Sequence, residues 1–524
     1  MSTGERSARR ATETERRTRP RLLALLAVCG LLVLAALLVE GFVEPTEVGP
    51  AAALAQGPAP AGAWYCPVPA SDGDVATLSV AAAGLEPSTV SVVHSTAEGP
   101  VADPPVEIAP GSSLELPLEA AEAAAPVTVR WRGGPTVATW RVEGRETAAA
   151  PCADGPAPRW YVSGLDTADG TRSTLHLFNP FAEDAVARVT FATPGGAVAL
   201  VLSDTVLVEA GQSLPVDLGQ FQPEEPILGA VVEVRSGRLV VQGEIVYQPF
   251  EGEGGPRGRT LVPGAPAPAL EWAFAFSRAD AESQSWLSVQ NPTDSAAAVE
   301  VRVSEPLAQS TLLEEIPVPA GGIARIDLGQ ASAQQEFGVA LSSVNDVPVV
   351  VTRTTALTTG DGRQGVATSL GATAETEWAL AGGDTEGRSG RVGLYNPGAA
   401  PVTVDLTTGG SSPQGWADVE VPPNGRVTIE LNGAGDGQPA LPVRVRADGP
   451  ILPELRSLAL GSSLRLWTAV GVPASSWRGP PSRPPVRRDP ALSTAPLVAV
   501  PSPTDGASPS TSPAPSVSPA VDPS

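Results

Sequence analysis

Five tryptophans recur along the chain, each behind a stretch rich in Gly, Pro and Ala. They are Gly57-Pro-Ala-Pro-Ala-Gly-Ala-Trp64, Gly155-Pro-Ala-Pro-Arg-Trp160, Gly264-Ala-Pro-Ala-Pro-Ala-Leu-Glu-Trp272, Gly371-Ala-Thr-Ala-Glu-Thr-Glu-Trp378 and Gly471-Val-Pro-Ala-Ser-Ser-Trp477. The spacings are 96, 112, 106 and 99 residues. A second mark, an apolar run ending in Asn-Pro, follows the tryptophan by 19, 19 and 18 residues, at Asn179-Pro180, Asn291-Pro292 and Asn396-Pro397. A third is a turn leading into an alternating strand that reaches Asp217, Asp327 or Glu430. Three marks in constant order define an internal repeat of about 100 residues.

Within a unit the apolar period is two. Val186-Ala-Arg-Val-Thr-Phe191, Val299-Glu-Val-Arg-Val303 and Val402-Thr-Val-Asp-Leu406 alternate core-facing and solvent-facing positions, as half-buried strands do. Ser236-Gly237-Arg238 between two such runs reads as a hairpin. Seven or eight short strands per unit predict an all-β chain of tandem immunoglobulin-like β-sandwiches. Propeller blades repeat at only about 40–50 residues. The tryptophans are expected to plug the sandwich edges. Each Asn-Pro is expected to end a strand, because Pro donates nothing to a ladder and Asn suits a turn.

The ends of the chain differ from the repeats. Met1–Arg21 holds seven Arg and three Glu, and Leu22–Val39 is an uncharged apolar run of 18 residues. At helical rise such a run spans about 27 Å, enough for a bilayer core. With the Arg cluster inside, everything beyond Glu40 lies outside the cell. The rival reading is a signal peptide cleaved at Ala53-Leu54-Ala55, which would leave a secreted protein. Cys29 lacks the small residue expected before a lipoprotein cysteine. Pro480–Ser524 holds 13 prolines among Ser, Thr and Ala and reads as a disordered tail. The expected organisation is residues 1–21 cytoplasmic, 22–39 transmembrane signal-anchor, 40–63 linker, 64–155 a divergent sandwich, then sandwich repeats at 156–268, 269–375 and 376–478, and the tail at 479–524.

The first unit lacks the Asn-Pro mark but carries Cys66 and Cys152. Outside the membrane, an isolated pair bracketing one domain is expected to form a disulfide. Closing so long a loop contributes at most roughly 4–5 kcal/mol in the chain-entropy model.

Little in the sequence points to catalysis, and the chain is read as a non-enzyme. It has no lysine, which excludes P-loop phosphate transfer, Schiff-base chemistry and Ser-x-x-Lys acylation. A net charge of −23 argues against nucleic acid as a partner. His94 and His176 lie in different units without cysteine ligands nearby, so no zinc site, other metal or cofactor is expected. His176 alternates with Leu175 and Leu177 and reads as an outward, solvated residue. Acidic residues follow each tryptophan: Asp72 and Asp74, Asp166 and Asp169, Asp280 and Glu282, Asp384 and Glu386. They suit turns, with calcium ligation the sharper alternative. A carbohydrate-binding or carbohydrate-active protein would need exposed rings, for which Trp131, Trp140, Trp286 and Trp416 are the candidates.

Trp64-Tyr-Cys-Pro67, Pro151-Cys-Ala153, Arg159-Trp-Tyr161, Leu177-Phe-Asn-Pro-Phe181 and Ser236-Gly-Arg-Leu-Val-Val241 together resemble an actinobacterial family of exported, membrane-anchored proteins catalogued as a domain of unknown function. The resemblance spans roughly Trp64 to Trp477. Its members tend to be encoded beside a large membrane glycosyltransferase, which implies a cell-envelope role and supplies no catalytic residue. The expectation is a single-pass surface protein that binds or scaffolds an envelope partner, a glycosyltransferase or its glycan.

Overall fold

Each of the first three repeats folds into two facing antiparallel sheets with a shared core. The computed structural model describes residues 61–478 apart from 71–72, 119–124, 200–204, 250–254, 281–282, 305–309, 313–314, 330–331, 333–334, 384–387, 433–440 and 462–463. The expected anchor at Leu22–Val39, the linker before residue 61 and the tail from residue 479 lie outside the described residues. Among the described residues no helix is long and apolar enough to cross a membrane.

In the first sandwich the opening strand Ala61–Cys66 pairs with Val127–Gly133, which pairs with Ser88–Thr96. The facing sheet runs Ser113–Leu118, Val75–Ala82, Thr136–Glu143 and the closing strand Thr147–Pro151. The second and third sandwiches repeat this order, with opening strands Arg159–Leu165 and Glu271–Arg278 and closing strands Gly258–Pro263 and Gln364–Leu370. Alternation does what its period requires: Val299, Val301 and Val303 are fully buried while Glu300 and Arg302 point outward. The strand order departs from the immunoglobulin arrangement, where the second strand lies between the first and the fifth. Here Val75–Ala82 lies between Ser113–Leu118 and Thr136–Glu143, and the opening strand has crossed to the other sheet.

In the fourth sandwich, one strand serves both sheets. Leu441–Leu460 pairs near its start with the opening strand Glu375–Gly383 and near its end with Ser389–Tyr395 and the closing strand Leu464–Val470.

The four closing strands meet in a circuit: Thr147–Pro151 touches Gly258–Pro263 and Leu464–Val470, and Gln364–Leu370 touches the same two. The repeats therefore close into a four-membered ring rather than a string. Each closing strand also gives side chains to the sandwich before it. Leu261 joins the core of the first sandwich, Val366 that of the second, and Leu464 and Leu466 pack on Leu357 and Ala367 of the third. Ala149 of the first sandwich completes the circle in the core of the fourth. A fully buried leucine contributes about 1.5–3 kcal/mol, so closure is driven by apolar burial that a single sandwich could not achieve.

Candidate functional site at the ring axis

The stretch preceding each of Trp160, Trp272, Trp378 and Trp477 is a strap bound to the sandwich it has just left. Ala153 and Tyr65 exchange backbone hydrogen bonds of 2.8 and 2.9 Å, Ala265 does the same with Tyr161, and Ala372 pairs with Ala273. In the fourth sandwich Val472 pairs with Ala379. Every strap thus lies against the residue following a repeat tryptophan. The tryptophans Trp64, Trp160, Trp272 and Trp378 are buried. The first three donate Nε1–H to the carbonyls of Thr136, Leu239 and Val349, where the penultimate strand begins. Trp378 donates to Glu375 instead, because the continuous strand Leu441–Leu460 leaves no such start to cap.

A glycine on three straps faces the indole. A Cβ on Gly264 would lie 2.9 Å from the Trp160 ring, one on Gly371 3.1 Å from Trp272, and one on Gly471 3.3 Å from Trp378. The first strap has Cys152 at this place, disulfide-bonded to Cys66 on the opening strand. Cys66 occupies the position of Val162, Phe274 and Leu380 in the other units, and in the third unit the Phe274 ring lies against the strap glycine Gly371.

Between the straps, on the ring axis, lies a cavity of about 190 Å³ to which all four sandwiches contribute. Its walls are apolar, formed by Trp64, Trp160, Leu370, Val470 and prolines including Pro151 and Pro263. Asp154 and Ser476 stand exposed at its mouth. The surrounding walls raise the Asp154 pKa by desolvation, and hydrogen bonds from its own backbone and from Ser476 oppose that rise. Ser369 and Thr468 also line the cavity, and both are bonded to a buried pair beneath it. There Arg353 of the third sandwich grips Glu454 of the fourth at 2.6 and 2.9 Å, both side chains fully buried. Burial pushes the Glu454 pKa upward, but Arg353, Ser369 and the Phe276 backbone N–H outweigh it and hold the pKa below the usual value.

The remaining seams are polar as well. Ser163 donates to the Ser288 carbonyl and accepts, at its own carbonyl, from Thr352. Thr139 donates to Ala381, and Arg388 pairs with Glu143. Asp74 and Glu244 share Arg259 between the first and second sandwiches.

A second cleft, about 240 Å³, lies at the seam of the second and third sandwiches. Trp286 lines it beneath Arg325, whose guanidinium sits 4.1 Å from the ring centroid. Asp166 also lines it, its pKa raised by desolvation to about 6.

The histidines occupy other surroundings than their neighbours in sequence imply. His176 is buried, not solvated, because its strand face turns into a seam, and its Nε2 meets Glu244 at 3.3 Å. His94 is buried too, with Nε2 3.1 Å from Asp103. Of the acidic residues after the tryptophans, Asp74 pairs with Arg259, Asp280 with Arg278, and Asp166 accepts from the Ala168 N–H as a turn residue does. Asp72, Glu282, Asp384 and Glu386 lie outside the described residues. Among the described residues no group of three or more His, Cys, Asp or Glu could hold a metal ion. Trp131, Trp140, Trp286 and Trp416 are 8%, 1%, 5% and 3% exposed, so none offers an open platform for a sugar ring.

Sequence reasoning missed the straps, although glycine at positions 264, 371 and 471 was their visible trace. It also underread the Asn-Pro mark. Asn179, Asn291 and Asn396 are fully buried, and each donates from Nδ2 to the two carbonyls that open the third mark. The second and third marks are thus two halves of one clamp.

Among solved structures, the chain is similar to the crystal structure titled Thermotoga maritima 1070, at 16% identity and TM-score 0.18, covering 20% of this chain and 94% of that one. It is also similar to a Streptomyces avermitilis alpha-L-rhamnosidase complexed with L-rhamnose, at 12% identity and TM-score 0.11, covering 70% of this chain and 53% of that one. At those scores neither informs fold or activity. No curated protein matches the chain. The family model described as "Family of unknown function (DUF5719)" matches residues 121–353 and 346–452, more than half of the sequence, and the chain belongs to that family.

Proposed function

We propose that the protein is a non-enzymatic surface module of the bacterial cell envelope, anchored by Leu22–Val39 with its N-terminus inside and its ring of sandwiches outside. The ring binds or scaffolds an envelope partner, a membrane glycosyltransferase or the glycan it makes. The observation that carries this reading is the use made of the reactive side chains. Arg353, Glu454, Arg259, Glu244 and Arg388 tie one sandwich to another. Each histidine meets a carboxylate through Nε2. A body whose polar groups are spent on its own seams is built to hold shape. The uncharged run Leu22–Val39 and the resemblance to exported actinobacterial proteins support the location.

The test is recovery of the tagged protein from its own membranes after mild crosslinking, with mass spectrometry of what accompanies it. Reproducible recovery of a glycosyltransferase or another envelope-assembly protein is the expected result. Recovery of no envelope component would overturn the reading. Fractionation tests the anchor: the protein should stay in the membrane pellet, whereas release into the medium means cleavage after Ala55.

A further inference from the structure

One position recurs at all four seams of the ring, and in the second sandwich it behaves differently. Thr139, Gln242 and Thr352 each lie three residues after the carbonyl that accepts a repeat tryptophan's Nε1–H. Glu454 is their counterpart in the fourth sandwich, paired with Gly393 as Gln242 is with His176 and Thr352 with Ser288. Three of these side chains close a seam on the third residue after a neighbouring sandwich's tryptophan. Thr352 donates to the Ser163 carbonyl at 3.0 Å, Thr139 donates to the Ala381 carbonyl at 3.1 Å, and Glu454 accepts the Ala275 N–H at 2.9 Å. The counterpart left for Gln242 is Pro67, which has no N–H to give. Gln242 is only 4% exposed, yet among the described residues nothing hydrogen-bonds to its side chain. Of the four, Gln242 alone lines the axial cavity, and Pro67 lines it too. Burying an amide without a partner costs stability, and that cost falls on the one seam position that opens onto a cavity.

The cavity, about 190 Å³, exceeds the roughly 150 Å³ that holds a benzene ring in an apolar protein interior. Its walls of Trp64, Trp160, Leu370, Val470 and Pro263 offer apolar contact. Ser369 and Thr468 are already engaged with Glu454 and Arg353. The free polar group inside is therefore the Gln242 amide, which presents one carbonyl and one NH₂. A primary carboxamide answers both, accepting from the NH₂ and donating to the carbonyl in two parallel bonds. A carboxylate has nothing to donate, would bring a charge between apolar walls, and would meet the acid Asp154 at the mouth.

We propose that the axial cavity is a binding site for a small neutral molecule built as a six-membered ring with a primary carboxamide, the ring between the apolar walls and the carboxamide on Gln242. The ligand supplies the partner that Ser163, Ala275 and Ala381 supply at the other three seams. A pocket of apolar walls with one well-placed polar group takes its affinity from the walls and its selectivity from that group. The site exists only in the closed ring, because all four sandwiches contribute to its walls.

The test uses the full chain and three probes, benzamide, toluene and benzoate, with binding read by calorimetry and by ligand-observed NMR. Benzamide should bind with Kd of about 0.1–1 mM, as expected for so small a ligand. Toluene and benzoate should bind at least about tenfold more weakly, because each leaves the Gln242 amide without its full set of bonds. Gln242→Met keeps the length of the side chain and removes the amide. It should weaken benzamide at least about tenfold while toluene binds as well or better, so that the order of the two probes reverses. Its melting temperature should stay the same or rise, since a buried group without a partner has gone. No binding of benzamide would mean a cavity that holds water only, and would overturn the proposal. Equal binding of benzamide and toluene to the natural chain, or an unchanged order in Gln242→Met, would do so as well. A clear drop in the melting temperature of Gln242→Met would mean that the amide holds the seam itself, and the site would fall with it.

Discussion

Arg353 and Glu454 join the third and fourth sandwiches through an ion pair with no exposed surface on either side chain. The same carboxylate accepts the backbone N–H groups of Ala275 and Phe276 at 2.9 and 3.0 Å, so Glu454 holds both the interior and the opening strand of its neighbour.

Breaking that pair from one side leaves a buried charge without its partner. Glu454→Gln should cost about 3–5 kcal/mol in denaturant unfolding, and the double variant Arg353→Met, Glu454→Met should recover much of it. A carboxyl whose folded pKa lies below its unfolded value stabilises above that value, here 4.5, and loses the contribution as pH falls through the folded pKa. The natural chain should therefore weaken below about pH 4.5 more steeply than the double variant. Identical acid profiles would contradict the assignment.

The asparagine clamp predicts a contrast within one dipeptide. Asn291 donates to Ser295, Val318 and Pro319 and accepts from Thr293. Asn291→Ala strands those buried carbonyls and should cost about 2–4 kcal/mol. Pro292→Ala should cost less than about 1 kcal/mol, because the proline only ends the strand. Equal losses from the two variants would return the mark to a simple turn signal.

The other units already show how the first could dispense with its disulfide. Val162 and Gly264 stand where Cys66 and Cys152 stand, across an 86-residue separation in the first unit. Replacing both cysteines by Ser should lower stability by about 2–4 kcal/mol. Cys66→Val with Cys152→Gly should lose less, since it puts back the residues the second unit carries at these positions and avoids buried hydroxyls. Thermal unfolding of the two variants side by side distinguishes them.

The strap glycines make a related prediction. A Cβ on Gly371 would meet the Phe274 ring at 2.8 Å, in a contact between two parts of one sandwich. Gly371→Ala should cost about 1–3 kcal/mol, whereas Gly360→Ala, with nothing within 4 Å, should be nearly neutral. The comparison is read from urea midpoints at unchanged slope.

Period-two alternation and three spaced marks were enough to read the repeat and its two-layered β architecture, because both are local consequences of strand geometry. Closure of the ring was not readable. It depends on Leu261, Val366 and Leu466 entering a neighbour's core, and such a leucine looks the same in sequence as one buried at home. His176 misled for the same reason: its place in the alternation is outward from its own sandwich, yet inward to the ring. The axial cavity is further from view still, since each strap contributes a few small residues and only closure assembles them.

Asp166 tests the seam between the second and third sandwiches by titration. Its pKa is raised by desolvation to about 6, with the Ala168 N–H and Arg325 acting against the rise. A carboxyl raised above its unfolded value of 3.8 holds its proton more tightly when folded, so its burial costs stability above pH 6 and that cost fades as pH falls toward 4. Asp166→Asn keeps the side-chain oxygen that caps Ala168 and removes the charge. The variant should be more stable than the natural chain at pH 7.5, by about 1–2 kcal/mol after allowance for the solvent that reaches the cleft. The two chains should converge near pH 4, while Glu454 makes both of them less stable in acid. A stability difference that stays constant from pH 4 to pH 8 would mean the carboxyl is not titrating in the cleft, and would remove Asp166 from the set of groups that govern this seam.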